Sequence, residues 1–175
     1  MVWNKLSALL ACIILALSLQ GCRISYKLNG SALDYTVYHS IAIGQFPIRA
    51  ALVYPPLQQT FENNLTDYIQ RNTRLQTTTG DSGNTDLALE GEITGYSLSP
   101  QAVGSDAYAT KTRLTISVRV RYTDATNERN NVDQNFSAYR DFDSSELLTD
   151  VQDQLCEEIS EELVELIFNA TLGNW

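Results

Sequence analysis

The chain has 175 residues, 43% hydrophobic and 19% charged, a composition that excludes a disordered tail or a fibrous repeat. Twelve Lys and Arg stand against 21 Asp and Glu, a net charge of −9. That balance disfavours nucleic-acid binding, because phosphate contacts need clustered cations. The single long apolar run lies at the extreme N-terminus, which excludes a polytopic membrane protein.

Lys5, then the apolar run Leu6–Leu19, then Gln20-Gly21-Cys22 have the build of a secretory leader. The run is shorter than the roughly 20 residues that a spanning helix needs. Leu19-Gln20-Gly21-Cys22 resembles the lipobox of bacterial lipoproteins, in which a small residue precedes a cysteine that takes a diacylglycerol. Residues 1–21 therefore read as a lipoprotein signal peptide, Cys22 as the lipidation site, residues 22–39 as a lipid-anchored tether and residues 40–175 as one domain. Arg23, Ile24 and Ser25 follow the cysteine with no Asp and no acidic run, which favours the periplasmic face of the outer membrane. With Cys12 removed and Cys22 acylated, Cys156 stands alone and no intrachain disulfide can form.

The elements follow in chain order. Ser40–Phe46 reads as a short apolar strand ended by Pro47. Pro55-Pro56 opens a helix in which Leu57, Phe61, Leu65, Tyr68 and Ile69 recur at helical spacing through Asn72. Thr77–Thr85 is polar and reads as a loop. Leu87, Leu89 and Ile93 alternate with Glu90 and Glu92 in a strand to about Leu98, and Ser99–Ala109, with Pro100 and Gly104, reads as a loop. Leu114, Ile116, Val118, Val120 and Tyr122 mark the clearest strand, Asp124–Asn131 a turn and Val132–Tyr139 a further strand. Asp143 or Ser144 would cap a last helix whose apolar stripe runs from Leu148 to Ile167. The pattern predicts an α+β fold, with two helices packed on one face of a four-stranded sheet in the order βαβββα. From Asp141 to Trp175 there are ten acidic and no basic residues, which reads as the solvated face of that last helix.

Sites for catalysis and cofactors are scarce. The lone His39 and lone Cys156 make no zinc set, and no Gly-rich phosphate loop or calcium loop is present. Gly80-Asp81-Ser82-Gly83 superficially resembles a serine-protease nucleophile loop, but Asn84 stands where another glycine is needed. No cofactor, no metal and no enzymatic activity are expected. One constellation is more informative. Lys111, Arg113, Arg119 and Arg121 share one parity on the best strand and hence one sheet face. They could form an anion site for phosphates of a lipid headgroup. They could equally be spent in cross-strand pairs, since folding Leu87–Leu98 back on Lys111–Thr123 brings Glu90 and Glu92 beside Arg119 and Arg121. Lys111 and Arg113 would then be the freer pair.

The lipobox and the ordered set of segments resemble the lipopolysaccharide-assembly lipoprotein family LptE. The stretches that carry the likeness are Pro55–Phe61, Leu89–Tyr96, Leu114–Val120, Phe136–Ser145 and Ile167–Trp175. The resemblance implies a non-enzymatic outer-membrane lipoprotein that plugs and partners the LptD β-barrel and assists lipopolysaccharide assembly. The implied partners are that barrel, lipopolysaccharide, and the membrane through the N-terminal lipid. An envelope scaffold lipoprotein that is not a plug stays open, and a lipid-anchored hydrolase is disfavoured by the missing nucleophile and base.

Overall fold

The computed structural model describes residues 33–52, 54–80, 83, 85–102 and 109–173. Cys22 and the leader lie outside these residues, as do positions 103–108 of the expected loop. The elements are β1 (Ser40–Ile43), α1 (Pro56–Asn72), β2 (Gln76–Thr79), β3 (Leu87–Ala102), β4 (Ala109–Asp124), β5 (Val132–Asp143) and α2 (Leu148–Thr171). They form one five-stranded sheet of order β2-β1-β3-β4-β5. β1 lies parallel to both of its neighbours, while β3, β4 and β5 form an antiparallel meander.

The expected α+β class holds, but the sheet has five strands rather than four, and the chain order gains a strand between α1 and β3. The added strand is Gln76–Thr79, expected as loop. Its side chains are mostly exposed at a sheet edge, so no apolar alternation marks it, and its Thr residues favour extended backbone. The loop expected to begin at Ser99 is strand through Ala102. Pro100 is tolerated there because β1 pairs only with Leu87–Leu89, which leaves that end of β3 with a free edge for a residue lacking an N–H. The last helix begins at Leu148, not at Asp143 or Ser144, and no side chain caps it. Asp143 ends β5 instead, and its Oδ1 accepts from the Ser145 amide (2.8 Å) and hydroxyl (2.6 Å).

Alternation along the meander divides the sheet into an apolar and a polar face. Ile41, Leu87, Leu89, Ile93, Leu114, Ile116, Val118, Val120, Phe136 and Ala138 are buried on the first. They share one core with Leu57, Phe61, Leu65 and Ile69 of α1 and Leu155, Ile159, Leu163 and Ile167 of α2. The helices also touch each other, with Tyr68 and Phe168 rings edge to face at 5.1 Å. A β-bulge at Thr94 is needed to keep β3 in phase. Ile93 opposes Val118 and Gly95 opposes Ser117, so Ile93 and Tyr96 both point inward although three residues apart.

Gly91 is required by close approach. A Cβ there would lie 2.1 Å from the Arg119 carbonyl oxygen and 2.7 Å from Cε1 of Phe46, whose ring packs edge-on against Phe61. Backbone of β4 cannot yield as a flexible side chain could. Gly91→Ala should therefore lower stability by about 3 kcal/mol or more in denaturant titration, beyond the usual cost of overpacking.

The β4–β5 turn is built on the buried carboxylate of Asp124. It accepts from the Tyr38 hydroxyl (2.8 Å), Asn130 Nδ2 (2.9 Å), and the amides of Thr126 (2.8 Å) and Asn127 (2.9 Å). Burial opposes the charge, but the donors Asn130, Tyr38, Asn127 and Thr126 together outweigh it and hold the carboxyl below the usual range. A carboxylate depressed on folding stabilises the fold above its unfolded pKa of about 3.9, and loses that contribution as pH falls through the lower folded value. Asp124→Asn should cost about 1.5–3 kcal/mol at neutral pH, and its melting temperature should fall less steeply than wild type below about pH 4.

Candidate functional site

The face of the meander turned away from the helices carries all four cations singled out from the sequence. Each sits on β4 and is set opposite a residue of β3 and one of β5: Arg121 between Glu90 and Asp133, Arg119 between Glu92 and Asn135, Arg113 between Ser99 and Asp141, and Lys111 between Gln101 and Asp143. The antiparallel register expected for Glu90 and Glu92 is therefore the one observed.

Side-chain pairing follows that register only in part. Arg121 Nη1 donates to Glu90 Oε1 at 3.0 Å. Arg119 reaches diagonally to β5, where its Nε (2.9 Å) and Nη2 (3.0 Å) engage Asp133 bidentately rather than Glu92. Arg113 engages Asp141, directly opposite on β5, bidentately at 2.7 and 2.9 Å, and its guanidinium lies 3.7 Å from the centre of the Tyr139 ring. The expectation that Lys111 and Arg113 are the freer pair thus holds for Lys111 alone. Lys111 is exposed and makes no ion pair within 4.0 Å among the described residues. The hydrogen bonds of Arg119 hold Asp133 below the usual carboxylate range, and those of Arg113 do so for Asp141. Between the arginines, the Ser117 and Ser137 hydroxyls meet at 3.0 Å.

With five carboxylates (Glu90, Glu92, Asp133, Asp141, Asp143) against four cations, this face is a self-neutralised polar surface and not a cationic patch. It contains a shallow depression of about 390 Å³ bounded by Gly44, Gln45, Pro47, Glu90, Glu92, Arg119 and Arg121. Exposed pairs of this kind leave guanidinium N–H groups available, so a phosphate can compete for them.

A fifth cation, Arg140, escaped the sequence reading. It occupies the helix-facing parity of β5 with Phe136, Ala138 and Phe142, a position where a charge needs a partner. Its guanidinium donates to Glu162, to Glu158 Oε2 (3.3 Å), and to the carbonyls of Glu158 (3.2 Å) and Tyr139 (2.9 Å). This clasps α2 to the sheet and offsets part of the acidic run. Beside it, a groove of about 590 Å³ between the helices is lined by Asn64, Tyr68, Arg71, Glu161 and Glu165. Cys156 is buried, and its thiol is pushed up to about 12 by burial and by the charge of Asp153, which leaves it unreactive. No group of three or more His, Cys, Asp or Glu among the described residues could hold a metal ion. Arg140→Ala should lower the melting temperature at low ionic strength, and the deficit should shrink in molar salt, because the paired groups are partly exposed.

Known structures share this architecture. An uncharacterized lipoprotein B from Nitrosomonas europaea is 17% identical with a TM-score of 0.52, over 82% of this chain and 88% of that one. A hypothetical protein from Chlamydia trachomatis is 10% identical with a TM-score of 0.52, over 78% and 99%. A protein from Xanthomonas campestris is 13% identical with a TM-score of 0.51, over 82% and 91%. At these identities the likeness concerns the fold alone. No curated protein sequence matches the chain. A family model described as lipopolysaccharide-assembly matches residues 38–171, which runs from the buried Tyr38 to the end of α2. The chain belongs to the LptE lipopolysaccharide-assembly family.

Proposed function

We propose that this protein is a lipoprotein acylated at Cys22 and held at the periplasmic face of the outer membrane. There it plugs and partners an LptD-type β-barrel and assists lipopolysaccharide transport and assembly. Family membership over residues 38–171 carries this reading. Two physical features support it. The interior of a large membrane barrel is polar and wet, and the open face of β3–β5 is polar with its three arginines paired to carboxylates, so it suits such a lumen. No helix among the described residues is long and apolar enough to cross a membrane; a lipid of two or more acyl chains on Cys22 would anchor the chain stably.

The role is binding and assembly, with no catalytic step. Lys111 is the readiest contact for a lipopolysaccharide phosphate, because Arg113, Arg119 and Arg121 must first exchange a carboxylate for it.

Cys22→Ala should abolish incorporation of labelled fatty acid and release the protein into the periplasm. Depletion of the wild type should lower the amount of correctly assembled barrel and raise outer-membrane permeability. Normal barrel levels and an intact barrier in a clean deletion would leave the tethered-scaffold reading in its place.

A further inference from the structure

The two edges of the sheet are built differently. β2 closes one edge with only 4 residues, Gln76–Thr79, which gives a neighbour little to pair with. β5 forms the other edge with 12 residues, Val132–Asp143, in unbroken register with β4. Soluble chains blunt their edge strands by shortness, proline, lysine or a bulge, and β5 has none of these. Its Asp133 and Asp141 carboxylates are already held by Arg119 and Arg113, so they do little to repel a neighbour.

The register shows which backbone groups stay open. A Cβ on Gly91 would meet the Arg119 carbonyl oxygen, and the Thr94 hydroxyl donates to the Ser117 carbonyl at 3.3 Å. The odd-numbered residues of β4 therefore turn their backbone groups toward β3. The even-numbered ones turn toward β5, where the Ile116 carbonyl also accepts from the Ser137 hydroxyl at 3.3 Å. Antiparallel pairing sets these against the even-numbered residues of β5. Asp133, Asn135, Ser137, Tyr139 and Asp141 are left with N–H and C=O pointing outward, and among the described residues no strand lies beyond them. Arg140 agrees with this direction, since its Nη1 donates to the Tyr139 carbonyl at 2.9 Å while the same side chain reaches α2.

Resting on the proposed barrel partnership, we infer that the β5 edge pairs with an extended segment of the partner barrel, which lies beside β5 as an added strand and carries Lys or Arg at alternate positions. Open strand backbone is matched by another strand, because main-chain hydrogen bonds supply the affinity. The strands of a closed barrel wall have no free edge, so the segment is a loop or terminus that enters the lumen. Its basic character follows from α2. Arg140 of β5 bonds Glu158 and Glu162, which sets that side of the helix along the edge. Every charged residue of α2 is acidic, and one guanidinium serves both of these carboxylates. Side chains of the added strand that face the helix layer meet this excess of negative charge, and cations there relieve it. A second copy of this chain would bring its own acidic α2 against the first, which like charge opposes.

The test reads hydrogen exchange residue by residue along β5 in the full-length chain, free in detergent and co-purified with the barrel. In the free chain the outward amides should exchange roughly tenfold or more faster than those of Gln134, Phe136 and Ala138, and in the complex the two sets should exchange alike. Molar salt should weaken the new protection several-fold, as it does other partly exposed ion pairs. Asn135→Pro removes one outward N–H and no bond to β4, so it should melt near the wild type yet recover several-fold less barrel. If that variant melts far lower, the exchange comparison decides alone. A recovered barrel with the outward amides still fast would overturn the inferred pairing while leaving the barrel partnership intact. Slow outward amides in the free chain would overturn it too, because the chain would then cover its own edge. Protection indifferent to salt would overturn the basic character of the strand. Wild-type protein that recovers no barrel would overturn the proposed function and this inference with it.

Discussion

A sheet with one apolar face folds only when that face is covered, and this requirement organises the molecule. The meander β3–β5 supplies rows of apolar side chains on one side, and α1 and α2 supply the matching stripes. Everything irregular serves that burial. The bulge at Thr94 restores inward phase to Tyr96, and the absence of a side chain at Gly91 lets the Phe46 ring close over the strand. Arg140, the cation on the covered side, is neutralised by the helix that covers it.

The same constraint frees the other face from any packing duty. Its charges are arranged across strands so that three of the four cations found on β4 are held by carboxylates. Such pairs contribute little to stability, but they set what the surface can accept. A surface of this kind tolerates water and polar neighbours, and it binds anions only by exchange. The net negative charge gathers instead on the outer side of α2, so the molecule presents two chemically distinct sides.

Much of this was legible because periodicity reports burial. The alternation from Leu114 to Tyr122 and the stripes on both helices mark their buried sides correctly. Aligning apolar faces also gave the register that sets Glu90 against Arg121. Strand Gln76–Thr79 was illegible because an exposed edge leaves no hydrophobic signature, and the end of β3 was hidden by Pro100, which reads as a breaker unless the edge is known to be free. At the candidate site, parity placed the four cations on one face. It could not tell that Arg119 would reach diagonally to Asp133 or that Arg113 would pair with Asp141 directly opposite, since both depend on β5 lying alongside. Arg140 did leave a signal, a cation in phase with Phe136, Ala138 and Phe142.

The parallel pairing of β1 carries a consequence in time. β3, β4 and β5 are joined to their sequence neighbours, so their contacts close short loops. β1 meets β3 across a wide gap in sequence, with Ile41 set against Leu87 and α1 and β2 lying between. Closing that larger loop costs more chain entropy before any contact rewards it, which makes docking of β1 a late event in folding. The residues ahead of β1 follow its fate, so the meander can assemble while the segment that carries Leu33 and Tyr38 is still undocked.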